Sequence, residues 1–153
     1  MKTFISTLAL AICTTNINAQ SLQHAYRDFL RVGVSVNQWQ VKAEKKVKEG
    51  ISYSGAYKTD QTADYPLIAQ HFGWVVPENC MKCEVIHPEE GVYDFTLADQ
   101  LVDKALANGQ KVIGHCLIWH SQCAPWFFTD DNGNQVSADV LRKRIKDHIY
   151  TIV

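Results

Sequence analysis

Two short stretches of this chain concentrate side chains that can hold hydroxyls or move protons. Val75-Val76-Pro77 runs into Glu78-Asn79-Cys80-Met81-Lys82, and Val112-Ile113-Gly114 runs into His115-Cys116-Leu117-Ile118-Trp119-His120-Ser121-Gln122. Each is an apolar run that ends in donors, acceptors and rings. A strand that only filled a core would not finish this way, whereas strand C-termini in parallel α/β sheets are where ligands bind. Glu78 is either a general acid or base or one half of a surface ion pair with Lys82, worth about 0–1 kcal/mol. Asn79 and Gln122 carry amides that donate and accept, suited to hydroxyls and equally to loop capping. His115 is either a ligand or a satisfied core histidine, the commoner situation inside proteins. Trp119 is either core or a flat face for a sugar ring. The coincidence of both strand ends, more than any single residue, points to a polyhydroxylated ligand.

Cysteine chemistry offers a competing reading. Apart from Cys13 near the N-terminus, the cysteines are Cys80, Cys83, Cys116 and Cys123. Cys80-x-x-Cys83 resembles half a zinc site, and His115 and His120 are available to complete a mixed one. No second pair of matching spacing exists, so structural or free thiols are the expectation, with no metal and no cofactor. Four cysteines permit three pairings, and spacing does not choose among them.

The chain has 153 residues, 46% hydrophobic and 20% charged, with a net charge of −1. That is an ordinary globular composition, with no electrostatic case for nucleic acid or an anionic membrane. Residues 1–19 are expected to be a secretory signal. Lys2 precedes the apolar run Phe4 to Cys13, and Ala19 supplies a small residue before Gln20. The run is shorter than the ~20 apolar residues of a membrane span. Lipid anchoring at Cys13 is disfavoured by the bulk of Ile12. The mature domain is therefore expected over 20–153, secreted to the periplasm or the exterior.

Scaffold elements follow from patterning. Ser21 to Asp28 reads as a short helix, and Phe29 to Asn37 as a first strand with Val32, Val34 and Val36. Residues 38–60 read as a long exposed connection. Asp64 caps a helix that buries Leu67, Ile68, His71 and Phe72 and stops at Gly73. Trp74 to Val76 is a second strand. Thr96 caps a helix burying Ala98, Leu101, Val102 and Ala105, stopped by Gly109. Lys111 to Trp119 is a third strand. Asp131-Asn132-Gly133-Asn134 is a turn that does not complete a calcium loop. Ser137 caps a last helix with Leu141, Ile145, His148, Ile149 and Ile152 inward and Arg142, Lys143, Arg144 and Lys146 in solvent. Helices between strands force parallel pairing through right-handed crossovers.

Beyond these patterns, Phe72 to Lys82, Glu84 to Phe95 and Ala107 to His115 resemble glycoside hydrolase family 10, the retaining endo-β-1,4-xylanases. Gly114 to Gln122 meets that family's signature G-H-x-L-x-W-H-S-Q. The resemblance runs from about Val32 to Val153, outside the 38–60 connection. It implies a (β/α)₈ TIM barrel, of which this α/β chain would supply about three units; a whole barrel needs about 250 residues. By the same resemblance Glu78, Asn79, Lys82, His115, Trp119 and Gln122 would contact xylan or a xylo-oligosaccharide on the donor side of the cleaved bond. His120 would stand behind them. Cys83 replaces a common Trp and Cys116 a common Thr, so packing behind the second strand is expected to differ. The family's acid/base and nucleophile glutamates would both lie beyond Val153, which makes Glu78 a binder, not the catalyst. The chain is thus expected to be a fragment that is inactive alone and does not fold stably, because an interrupted barrel exposes an apolar edge. The alternative from another class is a non-catalytic xylan-binding module.

Overall fold

A computed structural model describes residues 21–42, 50–52, 55–57 and 64–153; the expected signal at 1–19 lies outside them. In chain order the elements are α1 (Leu22–Tyr26), β1 (Gly33–Val36), α2 (Gln38–Lys42), β2 (Gly50–Ser52), β3 (Gly55–Tyr57) and α3 (Asp64–His71). There follow β4 (Trp74–Pro77), α4 (Cys83–Ile86), α5 (Thr96–Ala107), β5 (Lys111–Val112), a 3₁₀ turn (Pro125–Phe127) and α6 (Ala138–Ile152).

The three expected strands form one parallel sheet in the order β1-β4-β5. Gly33 pairs with Trp74 and Val36 with Pro77, while Trp74 and Val75 pair with Lys111 and Val112. The order places every strand's C-terminus on the same side, so Asn37, Glu78 and Ile113 begin three neighbouring loops. At Gly33 the next strand comes close: a Cβ there would sit 3.1 Å from both the Cβ and the carbonyl oxygen of Trp74, tighter than ordinary contact.

Packing explains the helices. Val36, Val41, Tyr65, Ile68, Val75, Cys80, Leu101 and Ala105 form the main core between the sheet and its helices. Its polar groups are paired, since the Tyr65 hydroxyl donates to Gln110 Oε1 at 3.0 Å and Gln110 Nε2 donates to the Phe72 carbonyl at 2.8 Å. Leu101 is wholly buried. Leu101→Ala is expected to cost about 2–5 kcal/mol, read as a lowered denaturant midpoint with an unchanged slope. A second cluster, Cys83, Ala124 and Phe127, packs with Ile118, Cys123, Trp126, Leu141 and Ile145 under α6. Ser137 caps α6 as expected, its hydroxyl accepting from Val140 N.

Several expectations are corrected. The first strand is confined to Gly33–Val36, because Phe29 N and Leu30 N still bond back to the Tyr26 carbonyl and Phe29 is exposed. The 38–60 connection contains α2 and, as an antiparallel pair, β2 and β3. Asn37 Oδ1 caps α2 by accepting from Trp39 N and Gln40 N. In α3 the buried residues are Tyr65 and Ile68, whereas Leu67 faces solvent. Gly73 opens the β4 ladder, donating to the Val32 carbonyl. Thr96 is the first residue of α5, not its cap: Phe95 stands at the N-cap without a side-chain cap bond, and Asp94 Oδ1, one residue further out, accepts from Thr96 N at 2.9 Å. The third strand ends far short of Trp119: Ile113 N makes the last ladder bond, to Val75 O at 2.9 Å, and the chain then leaves the sheet.

Candidate functional site

The loop leaving β4 turns back at once, with Lys82 N donating to Asn79 O at 2.9 Å. This directs the Lys82 side chain inward, and the residue is only 4% exposed. Its ammonium lies 3.2 Å from His115 Nε2 and 4.2 Å from the centroid of the Trp119 ring. An ammonium can only donate, so in this bond Lys82 Nζ–H donates and His115 Nε2 accepts. The stem of Lys82 is buried while its head meets a ring face and a lone pair, a cation–π and hydrogen-bond arrangement. Two further ammonium protons remain for an acceptor such as a hydroxyl oxygen.

Beside this trio, Gln122 Nε2 donates to Asn79 Oδ1 at 3.1 Å, joining the two loops a second time. A backbone bond from Glu84 N to Gln122 O at 3.0 Å makes a third link. Gln122 adopts a positive φ of 54° to make this return. His120 packs edge-on to Trp119, with ring centroids 4.9 Å apart. Glu78 is exposed immediately after β4, its N–H donating to Val36 O at 2.8 Å. Among the described residues no ion pair joins Glu78 to Lys82. The lysine points to the next strand's loop instead.

The structure therefore brings Lys82, His115 and Trp119 into one group and Asn79 and Gln122 into another. Glu78 stands at the β4 end beside Asn79. His115 is exposed, not a core residue. Cys80 and Cys83 diverge into separate cores. Among the described residues no three of His, Cys, Asp and Glu converge on a metal-sized site.

Two buried histidines that residue spacing did not assign to the site hold its second loop in place. His87 and His148 are 2% and 0% exposed. Gly91 N donates to His87 Nε2 at 3.2 Å, and His148 Nε2 lies 3.0 Å from the Leu117 carbonyl. A carbonyl only accepts, so His148 carries its proton on Nε2; His87 must then donate from Nδ1 to His148 Nδ1 across 3.0 Å. Both rings are neutral and fully bonded. Burial lowers the pKa of each; for His87 the neighbouring His148 adds to this and Glu90 opposes it, and for His148 the Leu117 carbonyl opposes it. Tyr93 stacks on His87, and Phe127 packs edge-on against both imidazoles. Position on the apolar stripe of α6 was the only sequence signal for His148, and His87 had none.

Parallel strands joined by helices, with polar, tryptophan-bearing loops at adjacent strand ends, place these side chains where barrel-type α/β proteins carry their ligand sites. Comparison with known proteins specifies the class further. The sequence profile of Glycosyl hydrolase family 10 matches residues 22–153, and the chain belongs to that family. It is similar to an endo-1,4-beta-xylanase/feruloyl esterase of Xylanibacter ruminicola, 37% identical over 86% of this chain and 16% of that one. An endo-1,4-beta-xylanase A of the same species is 51% identical over 56% of this chain and 23% of that one. Acetivibrio thermocellus has a relative named as an exoglucanase, 37% identical over 86% of this chain and 11% of the relative.

Among solved structures, an intracellular xylanase mutant of Thermoanaerobacterium saccharolyticum in complex with xylotetraose superposes with a TM-score of 0.72 at 32% identity. That match covers 88% of this chain and 37% of the other. A xylanase of Paenibacillus barcinonensis gives 0.71 at 32% identity, covering 89% and 35%. The chain thus spans about a third of the solved chains and less of the curated relatives. Its α/β sheet is that of a (β/α)₈ barrel, of which it contains the first three or so units.

Proposed function

We propose that the protein containing this chain is a secreted endo-1,4-β-xylanase, and that residues 20–153 supply the sugar-donor half of its cleft. The observation that carries this is the Lys82–His115–Trp119 group, a buried ammonium presented beside an aromatic face at adjoining strand ends. Such a pairing suits a xylose unit: the ring lies on the indole, and its hydroxyls accept from Lys82 and exchange bonds with Asn79, Gln122, Glu78 and His115. The xylanase names of the relatives, and the xylotriose and xylotetraose seen in related structures, support the same ligand class.

Retaining hydrolysis needs two carboxyl groups about 5–5.5 Å apart, one acid/base and one nucleophile. In this reading both come from beyond Val153, and Glu78 binds without reacting. Residues 1–19 direct export.

The test compares full-length protein with the 153-residue chain on xylan, cellulose and xylo-oligosaccharides, with the first-formed anomer followed by NMR. Full-length protein should release β-configured xylo-oligosaccharides from xylan and leave cellulose nearly untouched. The 153-residue chain should give no turnover. Turnover by the short chain would refute the placement of both glutamates beyond it. Faster cleavage of cellulose than of xylan would refute the xylan assignment, and binding without hydrolysis by full-length protein would favour a binding module.

A further inference from the structure

We propose that Cys83 and Cys123 are the two ends of a disulfide that closes when the chain meets an oxidising thiol buffer, stapling the loop after β5 to the start of α4. Sequence spacing left three pairings of the four cysteines open; the fold selects one. Glu84 N donates to Gln122 O at 3.0 Å, so the chains on either side of Cys83 and Cys123 lie against each other. Of the groups around the buried Cys83 thiol, Cys123 influences it most. Both sulfurs pack in the small core with Ala124 and Phe127. Cys80 is excluded because it belongs to the other core, with Val36 and Val75. Cys116 lies outside that small core, and among the described residues no backbone bond ties its segment to α4. All four thiols are free in this structure.

Exposure and proton affinity assign an order to the steps. Cys83 is 2% exposed, and burial with the neighbouring Cys123 and Cys116 pushes its thiol pKa up, so it is a poor first nucleophile. Cys123 is half-buried, with its thiol donating to Trp119 O at 3.0 Å. The Cys123 thiolate attacks one sulfur of oxidised glutathione, forming a mixed disulfide and releasing one glutathione thiolate. Cys83, deprotonated, attacks Cys123 Sγ, forming the internal bond and releasing the second. Two protein thiols are oxidised, one glutathione disulfide is reduced, and the two protons leave on the released glutathiones. The bond would hold Lys82 and Gln122, the residues next to each half-cystine, at a set separation across the groove.

The test uses full-length protein, reduced and then held natively in a mixture of oxidised and reduced glutathione. Remaining thiols are alkylated and the peptides mapped. The expected result is one linked peptide pair carrying Cys83 and Cys123, with Cys80 alkylated throughout. The link should be lost in Cys123→Ser and kept in Cys116→Ser and Cys80→Ser. Mapping of unsubstituted protein decides the matter even if a variant folds poorly. Alkylation of both Cys83 and Cys123 after native oxidation, or a link from Cys83 to Cys116 or Cys80, overturns the proposal. The readout involves no sugar, so failure of the xylanase assignment and failure of the disulfide are separately visible.

Discussion

Replacing His148 by alanine is expected to destabilise the protein by about 3–5 kcal/mol, a larger effect than that of most surface changes. The side chain is fully buried, and its removal leaves a cavity against Phe127 and His87. It also strands two polar groups, the Nδ1–H of His87 and the carbonyl of Leu117, each costing about 1–3 kcal/mol when left unpaired. His148→Gln, which can donate and accept in one side chain, should recover part of the loss. An alanine variant with an unchanged denaturant midpoint would show that the histidine wire does not support the fold.

The same wire sets a direction with pH. Burial holds the folded pKa values of His87 and His148 below those of the unfolded chain, which lie near 6.5. Below that value the unfolded chain takes up protons that the folded chain resists, so stability is complete above roughly pH 6.5 and falls as the pH drops beneath it. Protonation also abolishes the acceptor in His148 Nδ1 or His87 Nε2, breaking the chain of donors. Melting temperatures of wild type should fall from near neutrality into mild acid. The decline should be shallower in a His87→Gln, His148→Gln double variant.

The second large effect belongs to Lys82. In full-length protein, Lys82→Met is expected to lower kcat/KM on xylo-oligosaccharides by about 10–100-fold, the loss of a hydrogen bond from a charged donor at roughly 1.5–3 kcal/mol. Methionine keeps most of the buried stem, so the thermal midpoint should move little. Loss of the ammonium also frees His115 and Trp119, whose placement rests on it at 3.2 Å and 4.2 Å. Lys82→Arg should restore little, because a planar fork does not occupy the point where one ammonium meets both a ring face and an imidazole. Unchanged kinetics in Lys82→Met would remove the lysine from the cleft.

The ion pairs of α6 illustrate where burial decides an effect. Arg142–Asp139 and Lys143–Asp147 are exposed and contribute little. Arg144 is different: its guanidinium, 15% exposed, donates to the Trp126 and Thr129 carbonyls and to Glu90. It anchors the helix to the turn beneath it.

Local patterning was enough to place the three parallel strands, the crossover helices α3 and α5, the Ser137 cap and the two polar loops at β4 and β5. Those features depend on periodicity and capping within a few residues, which the chain carries in its own order. The resemblance of Gly114 to Gln122 to a family signature named the family to which the chain belongs. Spacing could not say that the third strand stops at Val112, since Gly114 to Ile118 is apolar enough to continue it; the ladder ends at Val75 and Ile113, two residues before β4 does, where Pro77 has no N–H to donate to the next carbonyl. Nor could it pair Lys82 with His115 rather than with Glu78, because the choice depends on which way the β4 loop folds back. The His87–His148 wire and the approach of Cys83 to Cys123 likewise join residues far apart in sequence, and only the packing of α6 and the β5 loop over α4 brings them together.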